Sequence, residues 1–210
     1  MNLDEIKALA YKHLAGRKAH RERETGFIYY HGQRVAKIAV QLRQLLLPDD
    51  HSHDQELTAA GYFHDIAKGI EPHSVYGAVL IREILADLCT REQIERISEL
   101  IHYHPFRDPD KDYNDWIKII QDADIIDHMG VVDIWVEFHY QAHLDGPLSD
   151  AVRFYETYFW PLAAKMRGQL NYEISRQIFD DRNRFLMNFV NRMKVEADGA
   201  IYNLDNLKKV

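Results

Sequence analysis

The 210-residue sequence has a single cysteine, Cys89, and therefore cannot form an intramolecular disulfide. So little cysteine is typical of proteins from reducing compartments. Cys89 follows Leu85 and Leu88 in an apolar segment, where we expect a buried thiol rather than a nucleophile. The sequence also lacks an apolar run approaching the ~20 residues of a membrane-spanning helix. Because the amino-terminal segment has neither the basic start nor the apolar centre of a signal peptide, we expect a cytoplasmic protein.

The chain also lacks an excess of basic residues. It has 26 Lys and Arg against 33 Asp and Glu, which gives a formal net charge of -7. Duplex nucleic acid binds proteins with a basic surface, so we expect no such partner. A small anionic substrate is still compatible with this charge, because a bound metal ion can reverse the local sign.

No segment has the pattern of a β-strand, and internal repeats and low-complexity linkers are absent. Apolar residues recur at spacings of three and four over most of the chain, which predicts an all-α fold. In the helix predicted at about 27–47, the apolar stripe places one polar residue, His31, inside the protein. This stripe consists of His31, Val35, Ile38, Leu42 and Leu45. The stripe of the last helix, predicted at about 171–197, consists of Ile174, Ile178, Phe185, Phe189 and Met193.

Histidine, in contrast, is abundant, with 12 residues. The segment 57–68, LTAAGYFHDIAK, is predicted to be an apolar helix in which His64 follows Leu57 and Ala60 on the core-facing side. Asp65 lies next to His64, and a carboxylate in such a segment is costly unless it is paired or bound to a cation. Asp124 similarly continues the apolar stripe of another predicted helix.

Six side chains on such stripes or at predicted helix ends are candidates for one metal site. They are His31, His64, Asp65, His73, His104 and Asp124. Each residue alone could instead have an ordinary structural role, as a hydrogen-bonded core histidine or as a helix-capping aspartate. Burying all of them without a shared partner would be costly, whereas a metal explains them together. A second dipeptide, His53-Asp54, lies in a polar stretch, where we expect Asp54 to cap a helix.

Three motifs, in this order and with wide spacings, resemble those of the HD superfamily of metal-dependent phosphohydrolases. HGQRV, at His31, resembles its H-x-x-R-V motif. HDIAK, at His64 and Asp65, resembles its HDIG motif, with Ala67 where glycine is common. DADIID, at Asp124, resembles its closing aspartate motif. The resemblance covers approximately residues 27–130.

The resemblance implies a single-domain helical bundle with a metal site in its core. On this basis we expect a division into an N-terminal helix and loop (1–26), the HD metal-binding core (27–130), C-terminal helices packed on the core (131–197) and a tail (198–210). The loops at 16–26 and 105–113 are expected to shape the pocket. The aromatic residues of the last helices are compatible with a homodimer.

The resemblance also implies a ligand set. It gives metal-ligand roles to His31, His64, Asp65 and Asp124, with Asp65 as a bridge if two metals bind. His73 and His104 lie where two-metal members of the superfamily place extra histidines, so we expect one or two divalent transition metals per chain. Mixed nitrogen and oxygen ligands favour Fe or Mn, with Co, Ni or Zn also compatible, over Mg, which prefers oxygen.

The implied function is hydrolysis of a phosphate ester or pyrophosphate bond, in a nucleotide or another small phosphorylated substrate, by attack of a metal-bound hydroxide. Asp65 and Lys68 are the catalytic candidates, although Lys68 also suits a helix C-terminus. Arg34 is expected to pair with a buried carboxylate, Asp127 to accept a hydrogen bond from a ligand histidine, and Arg107 to lie at the pocket rim. Two alternatives use the same residues: a di-iron oxygenase, and a non-catalytic helical module that binds a nucleotide or partner.

Overall fold

The structure, a computed structural model, describes residues 1–203, and within this range it is all-α without strands. The helices are α1 (Leu3–Leu14), α2 (Phe27–Leu46), α3 (Asp54–Phe63), α4 (His73–Ile84), α5 (Arg91–Tyr103), α6 (Asp115–Asp127), α7 (Val131–His143), α8 (Leu148–Phe154), α9 (Trp160–Gly168) and α10 (Glu173–Ala197). A π-helical turn, Tyr155–Phe159, joins α8 to α9. None of the described helices has the length and hydropathy that crossing a membrane requires. Residues 204–210 of the expected tail lie outside the described range.

Helices α2 and α3 pack with their backbones almost in contact. A Cβ added to Gly61 would lie 2.4 Å from the Cα of Ala36, and one added to Gly32 would lie 2.6 Å from the carbonyl oxygen of Tyr62. Only glycine allows this approach. Because His31 precedes Gly32 and His64 follows soon after Gly61, this packing brings the two histidines together.

Helix α3 ends earlier than predicted, at Phe63, and His64 is its C-terminal capping residue. Residues 64–69 form turns rather than the last turn of a longer helix. The expectation that Asp54 caps α3 was wrong, because Asp54 is the first residue of the helix and its carboxylate pairs with the buried Arg43 at 2.5 Å. The second His-Asp dipeptide therefore has a structural contact of its own.

The apolar stripes were predicted with errors at individual positions. In α2, His31, Val35 and Leu42 are buried as expected, but Leu45 is 61% exposed. In α10, Phe185 is 57% exposed, and the neighbouring Leu186 is buried instead. The fully buried residues of α10 are Ser175, Phe179, Leu186 and Val190. Of the predicted stripe, Ile178, Phe189 and Met193 are partly buried against the core.

The C-terminal helices are attached to the core through α6. Asp122, buried in α6, accepts hydrogen bonds from the backbone N–H groups of Asn171, at 2.9 Å, and Tyr172, at 3.2 Å. These donors lie at the start of α10, where backbone N–H groups have no partner within the helix. Arg182 of α10 also donates to the carbonyl oxygen of Ile126 at 2.8 Å.

Candidate metal centre

The six candidate ligands converge at the centre of the helical bundle. The Nε2 atoms of His31 and His64 are 3.1 Å apart, and Asp124 Oδ1 lies 3.1 Å from His31 Nε2. On the other side of the cluster, His73 Nε2 lies 3.4 Å from Asp65 Oδ1. The first turns of α2 and α4 and the C-terminal ends of α3, α5 and α6 supply these side chains.

Asp65 lies between two groups of possible ligands. Its Oδ2 is 3.8 Å from His64 Nε2, whereas its Oδ1 is 3.9 Å from His104 Nε2. The Nε2 atoms of His73 and His104 are 3.4 Å apart. His31, His64 and Asp65 form one group and Asp65, His73 and His104 another, with ligand atoms within 4.8 Å of one another in each. This arrangement suits a carboxylate that bridges two cations.

Each of the four histidines has its Nδ1 atom fixed by an acceptor. His64 Nδ1 is 2.9 Å from the carbonyl oxygen of Gly61, and His104 Nδ1 is 2.7 Å from that of Ile101. His31 Nδ1 and His73 Nδ1 lie near carboxylate oxygens instead, at 2.7 Å and 3.0 Å. An Nδ1–H that donates to such an acceptor leaves the lone pair of Nε2 for a metal. All four Nε2 atoms point into the cluster, so this donor set fits a divalent metal.

One neighbour of the cluster was missed by the sequence analysis. His128 Nε2 lies 3.5 Å from Asp124 Oδ1, and with His31 and Asp124 it forms a further group with metal-ligand spacing. A signal was present, because His128 follows Asp124 by four residues and therefore shares its helix face. Its side chain is 43% exposed, which distinguishes it from the buried His31.

Electrostatics keep the carboxylates of the cluster ionised. Burial alone would raise the pKa of Asp65, but the nearby His64 and Lys68 hold it below its usual range. Burial likewise acts on Asp124, whose pKa is nevertheless well below its usual range because His128 and His31 donate hydrogen bonds to it. Ionised carboxylates are the form that binds metal.

The pKa values of two buried histidines shift in opposite directions. Burial lowers the pKa of His104 to about 3, so this imidazole is neutral and its Nε2 can bind a metal. It also lowers the pKa of His31, but hydrogen bonds to Asp124 and Asp127 outweigh it and raise that pKa to about 9. A metal bound beside His31 would take the place of its Nε2 proton.

The other residues expected near the site differ in their contacts. Arg34 pairs with the buried Asp127 at 2.8 Å, as predicted, and Lys68 Nζ lies 3.3 Å from Asp65. Arg107, expected at the pocket rim, instead donates to the carbonyl oxygens of His104, at 2.7 Å, and Gln121, at 3.0 Å. It therefore supports the backbone around His104 rather than the pocket.

A cavity of about 800 Å³ opens onto the cluster. His31, Asp65 and His128 line one end of it. The loop at 16–26 contributes to the lining as expected, but residues 105–113 do not. Four cations line the cavity: Arg23, Arg34, Lys68 and Arg153, the last of which pairs with Asp150 at 2.5 Å. His20 also lines it.

Comparison with known proteins identifies the domain that holds the cluster. Residues 28–129 match the family model described as the HD domain. The chain contains an HD domain. The matched HD domain spans α2 to α6 and contains all six candidate ligands, whereas α7 to α10 lie beyond it. A search of curated protein sequences gave no significant match.

Solved structures resemble the HD domain together with the C-terminal helices. An HD-superfamily hydrolase from Bacillus thuringiensis has a TM-score of 0.64 at 20% identity, covering 93% of this chain and 98% of its own. Bacillus subtilis YpgQ, in a structure in complex with ADP, has a TM-score of 0.63 at 18% identity, covering 93% of this chain and 97% of its own. A protein from Lactobacillus plantarum has a TM-score of 0.61 at 20% identity, covering 94% and 97%. At these identities the likeness is one of fold.

The contact between Asp127 and His31 in the HD domain gives a prediction. We expect Asp127→Asn to weaken metal binding by about 10- to 100-fold, because the amide cannot serve both His31 and Arg34 as an ionised acceptor. Metal affinity measured by competition with a fluorescent chelator tests this. Asp87→Asn, at an exposed position, is the control and should bind metal like the wild type. An unchanged metal affinity in folded Asp127→Asn protein would contradict the proposal that Asp127 orients the ring of His31.

Proposed function

We propose that the protein is a metal-dependent phosphohydrolase that acts on a nucleotide. The observation that carries this proposal is that the His/Asp cluster and the side chains of Arg23, Arg34 and Lys68 line the same cavity. Arg34 and Lys68 pair with Asp127 and Asp65, whereas Arg23 has no ion pair among residues 1–203, and a metal bound at the cluster would add further positive charge to this end of the cavity. A phosphorylated substrate is the kind of ligand that such a place attracts.

In this proposal the cluster holds two metal ions of the Fe or Mn type. One would be bound by His31, His64, Asp65 and Asp124, the other by Asp65, His73 and His104. Such ions, when bound, lower the pKa of a coordinated water and neutralise charge on phosphoryl oxygens. Imidazole together with carboxylate favours these metals over Mg, which prefers oxygen ligands and retains its waters.

The chain's own residues position the ligands and the substrate. Asp127 holds the ring of His31, and Arg34 in turn neutralises Asp127 through hydrogen bonds of 2.8 to 3.1 Å. Lys68 is 29% exposed and contacts Asp65, so its ammonium group lies between the metal ligand and the cavity. We assign Lys68 the role of binding a phosphoryl oxygen beside the cluster.

Two findings support a nucleotide as the substrate. The related fold of YpgQ occurs in a complex with ADP. The cavity of about 800 Å³ also lies within the range of pockets that enclose ligands of this size. Its walls beyond the cluster are largely apolar, which suits the organic part of such a ligand.

The test is a substrate panel on the full chain. Nucleoside mono-, di- and triphosphates, cyclic nucleotides and p-nitrophenyl phosphate would be incubated with protein loaded with Mn, Fe, Co or Ni. We expect release of phosphate, pyrophosphate or nucleoside from at least one nucleotide, with loss on chelation and recovery when metal is added back. No release across the panel would contradict the proposal, and substrate-dependent O₂ uptake by the iron form would favour an oxygenase instead.

A further inference from the structure

Helix α7 presents a polar stripe to the cavity. Asp133, Glu137 and Gln141 follow one another at intervals of four residues and all line the cavity. Residues at this spacing share one helix face, and the three span about 12 Å along the axis. Asp133 follows His128 by five positions, and His128 lines the same cavity.

The two carboxylates of this stripe have few partners. Asp133 accepts a hydrogen bond from the hydroxyl of Tyr155 at 2.9 Å, and Glu137 accepts one from the side-chain amide of Gln141 at 2.7 Å. Among residues 1–203, no Lys, Arg or His nitrogen lies within 4 Å of either carboxylate, and the second oxygen of each accepts no hydrogen bond. Arg23 is close enough to influence both but does not pair with them.

Burial disfavours the charged form of both carboxylates. It raises the pKa of Asp133 to about 6 and also raises that of Glu137, which is only 5% exposed. A carboxylate oxygen in such a place is stabilised by a hydrogen-bond donor. The cavity is the side from which a donor can arrive.

The facing wall is mostly apolar and aromatic. It is formed by α8, α9 and the π-helical turn between them, and includes Phe154, Tyr158, Phe159 and Leu162. It also holds one charged pair, Asp150 and Arg153 of α8. The π-helical turn also contains Tyr155, whose hydroxyl holds Asp133. Single π-helical turns of this kind are frequent at functional sites. A ligand here would meet acceptors on one side and apolar rings on the other.

We infer that Asp133 and Glu137 determine specificity by accepting hydrogen bonds from the hydroxyl or amino groups of a nucleoside, while the wall opposite packs against its base. This inference rests on the proposed function, because it takes the phosphates of the same ligand to lie at the cluster. In this arrangement the cations near the cluster contact the phosphates, and the acidic side chains of α7 contact the nucleoside.

A matched pair of unreactive probes separates the two ends of the ligand. Adenosine 5′-(α,β-methylene)diphosphate and methylenediphosphonate share the phosphonate end, and only the first carries a nucleoside. Their binding to the Mn-loaded full chain would be measured by calorimetry for the wild type, Glu137→Gln and Asp133→Asn. The exposed Glu83→Gln is the control, and metal content and circular dichroism confirm that each variant is folded and loaded.

We expect each of the two cavity variants to bind the nucleotide analogue about tenfold more weakly or worse, and to bind methylenediphosphonate within twofold of the wild type. Equal weakening for both probes, or no weakening, would overturn the inference. Its failure is distinct from that of the proposed function. Hydrolysis in the substrate panel without these differences would refute only the inference, and a Glu137-dependent preference for the analogue without hydrolysis would refute only the phosphohydrolase.

Discussion

Asp65→Asn is expected to reduce hydrolysis by at least about 10³-fold, on the order of 4 kcal/mol of transition-state stabilisation. Both carboxylate oxygens of Asp65 face histidine Nε2 atoms, at 3.8 Å for His64 and 3.4 Å for His73. An amide offers one neutral oxygen and cannot bridge two cations. We therefore expect the bound metal to fall below one ion per chain. Elemental analysis of the same protein used for the hydrolysis assay measures this.

The chain supplies a matched control in its second His-Asp dipeptide. Asp54→Asn removes the charge that faces the buried Arg43, so it should lower the free energy of unfolding by about 2–3 kcal/mol. It should leave the metal content and the rate per folded molecule unchanged, because Asp54 lies outside the cluster. If Asp65→Asn retained full metal and activity, the assignment of Asp65 as the bridging ligand would be wrong.

His104→Ala is expected to remove one of two metals. The neutral imidazole of His104 lies 3.4 Å from His73 and belongs to the group on the Oδ1 side of Asp65. Its loss leaves the group of His31, His64 and Asp65 complete. We expect about one metal per chain and a rate lower by about 10²-fold, since charge on the phosphoryl oxygens is then only partly neutralised.

His102→Ala is the appropriate control for this change. His102 precedes His104 by two residues, so its side chain leaves the helix in another direction and packs beside Tyr103 and Phe106. This variant should keep both metals and the wild-type rate. Two metals in folded His104→Ala protein would show that His104 is not a ligand, and the second site would then need another residue.

The position of the cluster was predictable from sequence because some of its ligands continue apolar stripes and the others lie at predicted helix ends. His31 and Asp124 occupy places where helical spacing requires a core-facing residue, and the polar surroundings of Asp54 set it apart from Asp65. The structure brings all six predicted ligands together, and their roles as ligands remain a prediction. His128 was overlooked because sequence spacing alone does not distinguish a residue that reaches the cluster from one that lies beside it.

The cavity was much less predictable. Its lining combines a loop residue such as Arg23 with residues of α7 to α9, which are more than 100 positions further along the chain. Spacing within one helix cannot reveal such contacts. The same limit explains the errors in α10, where a one-residue shift of the buried face separates the exposed Phe185 from the buried Leu186. The π-helical turn left no signal in the sequence, whose pattern predicts a single helix at about 149–166.

The most direct test of the metal centre is the metal content per chain of the wild-type protein, measured by elemental analysis after purification with and without oxygen. Two Fe or Mn ions per chain are expected, because two groups of ligands share Asp65. One ion per chain would contradict the two-metal centre and the assignment of His73 and His104 as metal ligands. Protein that binds no metal under either condition, and takes up none when Mn or Fe is supplied, would contradict the metal-dependent function altogether.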